Sequence, residues 1–115
     1  MKLLIEDQAI NESEKALLTR CRDAIKEVDP SAEVILYGSR ARGDAGTESD
    51  YDLLVLTDGE ATLEREDVFR RKTYPIELDT GAVLTVLLVS RKDWGSPIYD
   101  AMPLYQNIKK EGVML

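Results

Sequence analysis

Leu36-Tyr37-Gly38-Ser39-Arg40-Ala41-Arg42-Gly43-Asp44, followed by Ser49-Asp50-Tyr51-Asp52-Leu53-Leu54-Val55, is the stretch that decides how this chain folds. One apolar run ends in a glycine-serine turn, and the next opens with an Asp-x-Asp pair. In an extended strand, residues i and i+2 point to the same side, so Asp50 and Asp52 present two carboxylates to one place. Such a pair repels itself, and Asp is disfavoured in strands anyway; a bound cation relieves the repulsion. A strand that turns at Gly38 directly into a short helix leaves N–H groups unpaired. Those donors and the Ser39 hydroxyl can hold phosphate oxygens, with Gly38 allowing close approach. The combination suits a divalent metal carrying a polyphosphate.

Outward from this motif the elements are legible. Residues 11–28 read as an amphipathic helix, with Asn11 as its cap and Glu14 placed to complete a capping box. Leu17, Leu18, Cys21, Ile25 and Val28 form its buried stripe, and Asp29-Pro30 stops it. Residues 34–37 and 51–56 are short apolar runs consistent with strands. A helical segment covers 62–80, with a kink expected near Pro75 and Gly81 as its C-terminal cap. Residues 82–89 form a third strand, so apolar that a central place in the sheet is expected. The chain then breaks into short pieces around Trp94, Pro97 and Pro103 before a last helix over 104–111. The order predicts an α/β (α+β) domain with a small mixed sheet flanked by helices, one domain spanning residues 1–115. The aromatic segment 94–105 and the tail 113–115 are expected to pack on this core.

Composition narrows the chemistry. With 43% hydrophobic and 32% charged residues among 115, the chain has the balance of a soluble globular protein. No apolar run approaches a membrane span and the N-terminus carries no signal-peptide pattern, so a cytoplasmic location without a membrane partner is expected. A single cysteine, Cys21, excludes an internal disulfide and a cysteine zinc cluster, and the absence of histidine excludes Ser-His and Cys-His catalysis. Metal chemistry must then use carboxylates, hydroxyls and carbonyls, which favours Mg²⁺ or Mn²⁺. The net charge of −7 argues against broad nucleic-acid binding. The basic clusters Arg70-Arg71-Lys72 and Lys109-Lys110 read as solvated helix faces. Gly38 and Gly43 have the spacing of a Walker A loop, but Asp44 and Ala45 follow where lysine and a hydroxyl are needed.

Taken whole, the motif resembles the nucleotidyltransferase superfamily that includes DNA polymerase beta, especially its minimal bacterial and archaeal members. The likeness is close over residues 36–56 and looser over the whole chain. It implies the polymerase beta palm-like fold, with Gly38 and Ser39 holding the β- and γ-phosphates of a nucleoside triphosphate, expected to be ATP. It also implies that Asp50 and Asp52 ligate Mg²⁺ and serve catalysis, with Arg42, and with less reason Arg40, steadying the phosphates. The activity implied is transfer of a nucleoside monophosphate to a hydroxyl of a protein or small molecule. Minimal members pair with a small helical HEPN-type protein in toxin–antitoxin modules, so such a partner is implied.

The chain departs from the family at one point. Fully active members place a third carboxylate on a later strand beside the Asp pair, and the run 81–90 holds no Asp or Glu. Depending on register, the position falls on Thr85 or Leu87. Glu77 and Asp79 precede that strand. The alternative to a transferase is therefore a catalytically weak or inactive, antitoxin-like binding subunit.

Overall fold

The computed structural model of the chain describes residues 1–43 and 50–115. A five-stranded sheet runs in the order β1 (Lys2–Leu3), β5 (Val113–Met114), β2 (Glu33–Tyr37), β3 (Tyr51–Thr57), β4 (Leu84–Ser90). β2 is antiparallel to both of its neighbours, whereas β3 and β4 run parallel, as do β1 and β5. The sheet is mixed, and helices flank both of its faces.

On one face lie α1 (Glu12–Val28) and α3 (Leu63–Thr80). Their buried residues Leu18, Cys21, Ile25, Phe69 and Ile76 join Val34, Leu36, Leu53, Val55, Val86 and Leu88 in one cluster. The opposite face carries Ile35, Leu54, Leu56 and Val89. It is covered by Trp94 of α4 (Arg91–Trp94), Tyr99 of α5 (Pro97–Asp100) and Tyr105 and Ile108 of α6 (Pro103–Glu111), packed with Tyr37, Leu87 and Met114 of the sheet itself. Because both faces are covered, β2 to β4 are apolar at nearly every position rather than at alternate ones. The expected packing of the aromatic segment and tail is observed: Trp94 and Tyr105 meet edge to face, and Val113–Met114 is inserted as β5 between β1 and β2.

Local signals explain the helix ends. The Asn11 side chain accepts the Glu14 N–H at 2.8 Å, Thr62 accepts the Arg65 N–H at 3.2 Å, and Gly81 closes α3 at φ 74°. The reciprocal half of the expected capping box takes another form, since the Glu14 carboxylate turns toward Arg40 and Tyr51. Val28 is 38% exposed rather than part of the buried stripe; it is the last residue of α1. α3 is continuous through Pro75. The basic clusters are paired on the surface: Arg71 with Asp67, Lys72 with Glu27, and Lys109 with Asp100. Among the described residues, no helix is long and apolar enough to cross a membrane.

The expected central place of the third strand also fails. β4 is the outermost strand, not a central one. Its apolar run reflects burial on both faces; its outer edge is met by α3, whose Glu77 and Glu66 carboxylates accept the Leu84 and Leu88 N–H groups at 3.2 and 3.1 Å. Hydrophobicity reports faces, and says nothing about which edge of a strand finds a ladder partner.

Candidate active site

β2 ends at Tyr37, and the chain passes through Gly38 into the single-turn helix α2 (Ser39–Arg42). Gly38 adopts φ 76°, ψ −158°, a region open almost only to glycine. Its carbonyl accepts the Ala41 and Arg42 N–H groups, both at 3.1 Å, which folds the turn back on itself. Ser39 opens the helix, so its N–H has no acceptor within that helix.

The register of the sheet brings this turn to the Asp pair. Tyr37 lies opposite Asp52 in the β2–β3 ladder, so the residue after Tyr37 sits beside the Asp52 side chain. A Cβ added to Gly38 would lie 2.4 Å from Asp52 Oδ2. Gly38 and Asp52, 14 positions apart in sequence, therefore share one small volume. Asp50 is exposed and stands just before β3. Residues 44–49, which join the two halves of the motif, lie outside the described residues.

Asp52 is paired on its other side with Thr85 of β4, and the Thr85 hydroxyl donates to Asp52 Oδ1 at 3.0 Å. Of the two positions open for a third carboxylate, Thr85 is the one the register selects. Leu87 lies two residues further along the same face, among the apolar side chains. Glu77 is engaged with the Leu84 N–H, and Asp79 pairs with Arg20 at 2.6 Å. Among the described residues, no group of three or more His, Cys, Asp or Glu is placed to hold a metal ion. Among the described residues, Gly38, Thr85 and Tyr37 stand beside Asp52.

Tyr37 is the neighbour that sequence reasoning passed over. It is half-buried on the Asp52 face, and its phenol is pushed above the ordinary range by burial first and by the Asp52 charge second. A signal was present: Tyr37 is the one residue with a polar tip in an aliphatic run, immediately before the glycine.

The two arginines of the turn part company. Arg42 reaches Glu111 at the end of α6, 3.7 Å away, and its side chain is 44% exposed. Arg40 folds the other way, onto the α1 face. Its guanidinium lies 4.3 Å from the centre of the Tyr51 ring and 3.5 Å from Glu14, with 14% of the side chain exposed. Tyr51 projects opposite to Asp52, as alternation along a strand requires. Burial, then the Glu14 carboxylate, pushes its phenol up.

Comparison with known proteins identifies a family for the chain. Residues 18–112 match the family described as nucleotidyltransferase domain. No curated protein sequence matches the chain. Among solved structures, one of Cid1, described for its RNA terminal uridylyl transferase activity, shares 22% identity, with 94% of this chain and 38% of that chain covered at a TM-score of 0.47. Another, the Cid1 poly(U) polymerase with MgGTP bound, shares 22% identity over 94% of this chain and 39% of that one, at a TM-score of 0.46. The chain thus spans well under half the length of these structures.

Proposed function

The chain belongs to the nucleotidyltransferase domain family, and from that premise we propose that it binds a magnesium-complexed nucleoside triphosphate, ATP by expectation, at Gly38, Ser39, Asp50 and Asp52. The observation that carries this reading is the approach of Asp52 Oδ2 to the Gly38 backbone, since a Cβ there would stand 2.4 Å from it. A carboxylate beside the turn proposed to receive phosphates supports a metal–triphosphate ligand at this position.

The donor set fits such a cation. Asp50 and Asp52 are hard oxygen ligands of the kind Mg²⁺ and Mn²⁺ prefer. When bound, Mg²⁺ would offset the charge of the triphosphate and of the departing pyrophosphate. In the proposed reaction an acceptor hydroxyl oxygen forms a bond to the α-phosphorus. The bond to the bridging oxygen of the β-phosphate breaks, pyrophosphate leaves with that electron pair, and the hydroxyl proton passes to water. The chain's part is to hold and orient: Ser39 and the turn grip phosphate oxygens, Asp50 and Asp52 fix the cation. Arg42 would assist by leaving Glu111. The acceptor would be a hydroxyl of a small molecule or of a partner protein, such as the small helical HEPN-type protein that minimal family members accompany in toxin–antitoxin modules.

Thr85 supports a second reading. A hydroxyl beside Asp52, in place of a carboxylate, favours a binding subunit with weak or no transfer. Calorimetric titration with Mg-ATP tests the shared premise: wild type is expected to bind, and Asp50→Asn/Asp52→Asn to lose binding. Labelled ATP, Mg²⁺ and a co-purifying partner then separate the readings. Label on the partner supports transfer; a stable unlabelled complex, with label appearing only in Thr85→Asp, supports the binder. Absence of Mg-ATP binding in the wild type would reject both.

A further inference from the structure

Behind the proposed nucleotide site, on the opposite face of the sheet, three side chains from three elements meet. Arg40 comes from α2, the residue directly after Ser39. Tyr51 is the residue between Asp50 and Asp52. Glu14 belongs to the first turn of α1. The Arg40 guanidinium stands 4.3 Å from the Tyr51 ring centre, and Glu14 Oε2 accepts from both Arg40 Nη1 at 3.5 Å and the Tyr51 hydroxyl at 3.3 Å. Tyr51 is 6% exposed, so its ring is anchored in the α1-side core.

The placement matters because of what each residue is attached to. Strand alternation turns Tyr51 and Asp52 to opposite faces, and Asp50 adjoins Tyr51 in the chain, so seating the Tyr51 ring fixes the backbone that carries both carboxylates. Arg40 is covalently next to Ser39, so seating its guanidinium fixes the turn that would meet phosphates. The geometry points to Arg40, Tyr51 and Glu14 as a positioning clasp that sets the spacing between the phosphate turn and the carboxylate pair. This rests on the nucleotide reading above and deepens it: Arg40 acts through Tyr51 from the far face and touches no phosphate. A planar guanidinium can lie over a ring and pair with a carboxylate together, which a lysine ammonium does poorly.

The clasp has a signature that a direct phosphate ligand lacks. A metal–triphosphate spans both halves of the site, whereas a bare metal ion needs only the carboxylates. Loosening the clasp therefore weakens the first selectively, since misplacing one half of a two-point grip is costly.

The test uses Arg40→Leu, Arg40→Lys, Tyr51→Leu and the Arg40→Leu/Tyr51→Leu double variant. Tyr51→Phe and Glu14→Gln serve as milder breaks should Tyr51→Leu fail to fold. Amide hydrogen exchange comes first: Arg40→Leu is expected to speed exchange at residues 38–43 and also at 50–53. A rise confined to 38–43 overturns the clasp, whatever the nucleotide does. Titrations with Mg-ATP and with Mn²⁺ alone follow. Arg40→Leu, Arg40→Lys and Tyr51→Leu are each expected to lose about tenfold in Mg-ATP affinity, and the milder variants less, while Mn²⁺ affinity holds within about twofold. The double variant should be no worse than either single. If Arg40→Leu abolishes Mg-ATP binding while Tyr51→Leu and Glu14→Gln leave it intact, Arg40 is a phosphate ligand and the inference is wrong. If wild type binds no Mg-ATP, the functional reading falls and the exchange result alone decides the clasp.

Discussion

Replacing Gly38 with alanine isolates the contact on which the site depends. Two penalties combine. The φ 76°, ψ −158° backbone is one that a side chain tolerates badly, at about 1–3 kcal/mol. The new methyl would also meet Asp52 Oδ2 at 2.4 Å, so the carboxylate must swing away from the Thr85 hydroxyl that it accepts from at 3.0 Å. Losing that hydrogen bond adds about 1 kcal/mol. The total, about 3 kcal/mol, should lower Tm by roughly 12 °C in a chain of this size. Gly81→Ala provides the control. Gly81 also has a positive φ, 74°, but a Cβ there meets nothing within 4 Å, so only the left-handed backbone term applies, at about 1 kcal/mol. Thermal and urea unfolding of both variants, and of Gly38→Ala in an Asp52→Ala background, measure the difference. The Gly38 penalty should exceed that of Gly81 and shrink once the Asp52 carboxylate is removed. Equal penalties, or a Gly38 penalty indifferent to Asp52, would refute the close approach.

Three further outcomes follow from the packing. Glu66 is 8% exposed and accepts the Leu88 N–H, so Glu66→Ala should cost about 2 kcal/mol in urea unfolding. Glu66→Gln keeps an acceptor oxygen and should lose less; equal losses would assign the effect to charge. Asp29 is held below the usual carboxylate range chiefly by the Thr57 hydroxyl, which donates to it at 2.6 Å, with Ser31 and Arg65 assisting against burial. A depressed folded pKa contributes stability above the unfolded value and loses it as pH falls through the folded one. Asp29→Asn should therefore be less stable than wild type at pH 7 and show a shallower acid decline below about pH 4; parallel acid limbs would contradict this. Finally, burial pushes the Cys21 thiol up to about 12. A disulfide reagent at pH 8 should label it only after unfolding, and prompt labelling of the native protein would show that the α1 stripe is open.

The sequence carried the local geometry of the candidate site more fully than the strand order of the sheet. Gly38, Ser39 and Asp52 were legible because each requirement is local: a turn, a hydroxyl, a strand position. The helices showed through caps such as Asn11, Thr62 and Gly81, whose reach is three or four residues. What escaped were pairings between distant segments. Nothing in residues 84–90 reveals that their outer neighbour is a helix instead of a strand. The two-residue strands β1 and β5 are too short for any periodicity, and they exist only because they complete each other beside β2. The arginines illustrate the same limit: two residues apart on one turn, Arg40 and Arg42 point to opposite sides, toward Glu14 and Glu111. Spacing alone could not say which way either side chain turned.

The carboxylates that α3 lays along β4 bear on how this protein meets others. A seven-residue outermost strand would ordinarily offer its free amides as a template for strand addition. Here Glu66 and Glu77 occupy the amides of Leu88 and Leu84, and an incoming strand would have to expel both anions, one of them buried. Growth of the sheet past β4 is thereby discouraged, and a partner would have to approach by a surface other than that edge. The same two residues that complete the fold also mark where the sheet stops being sticky.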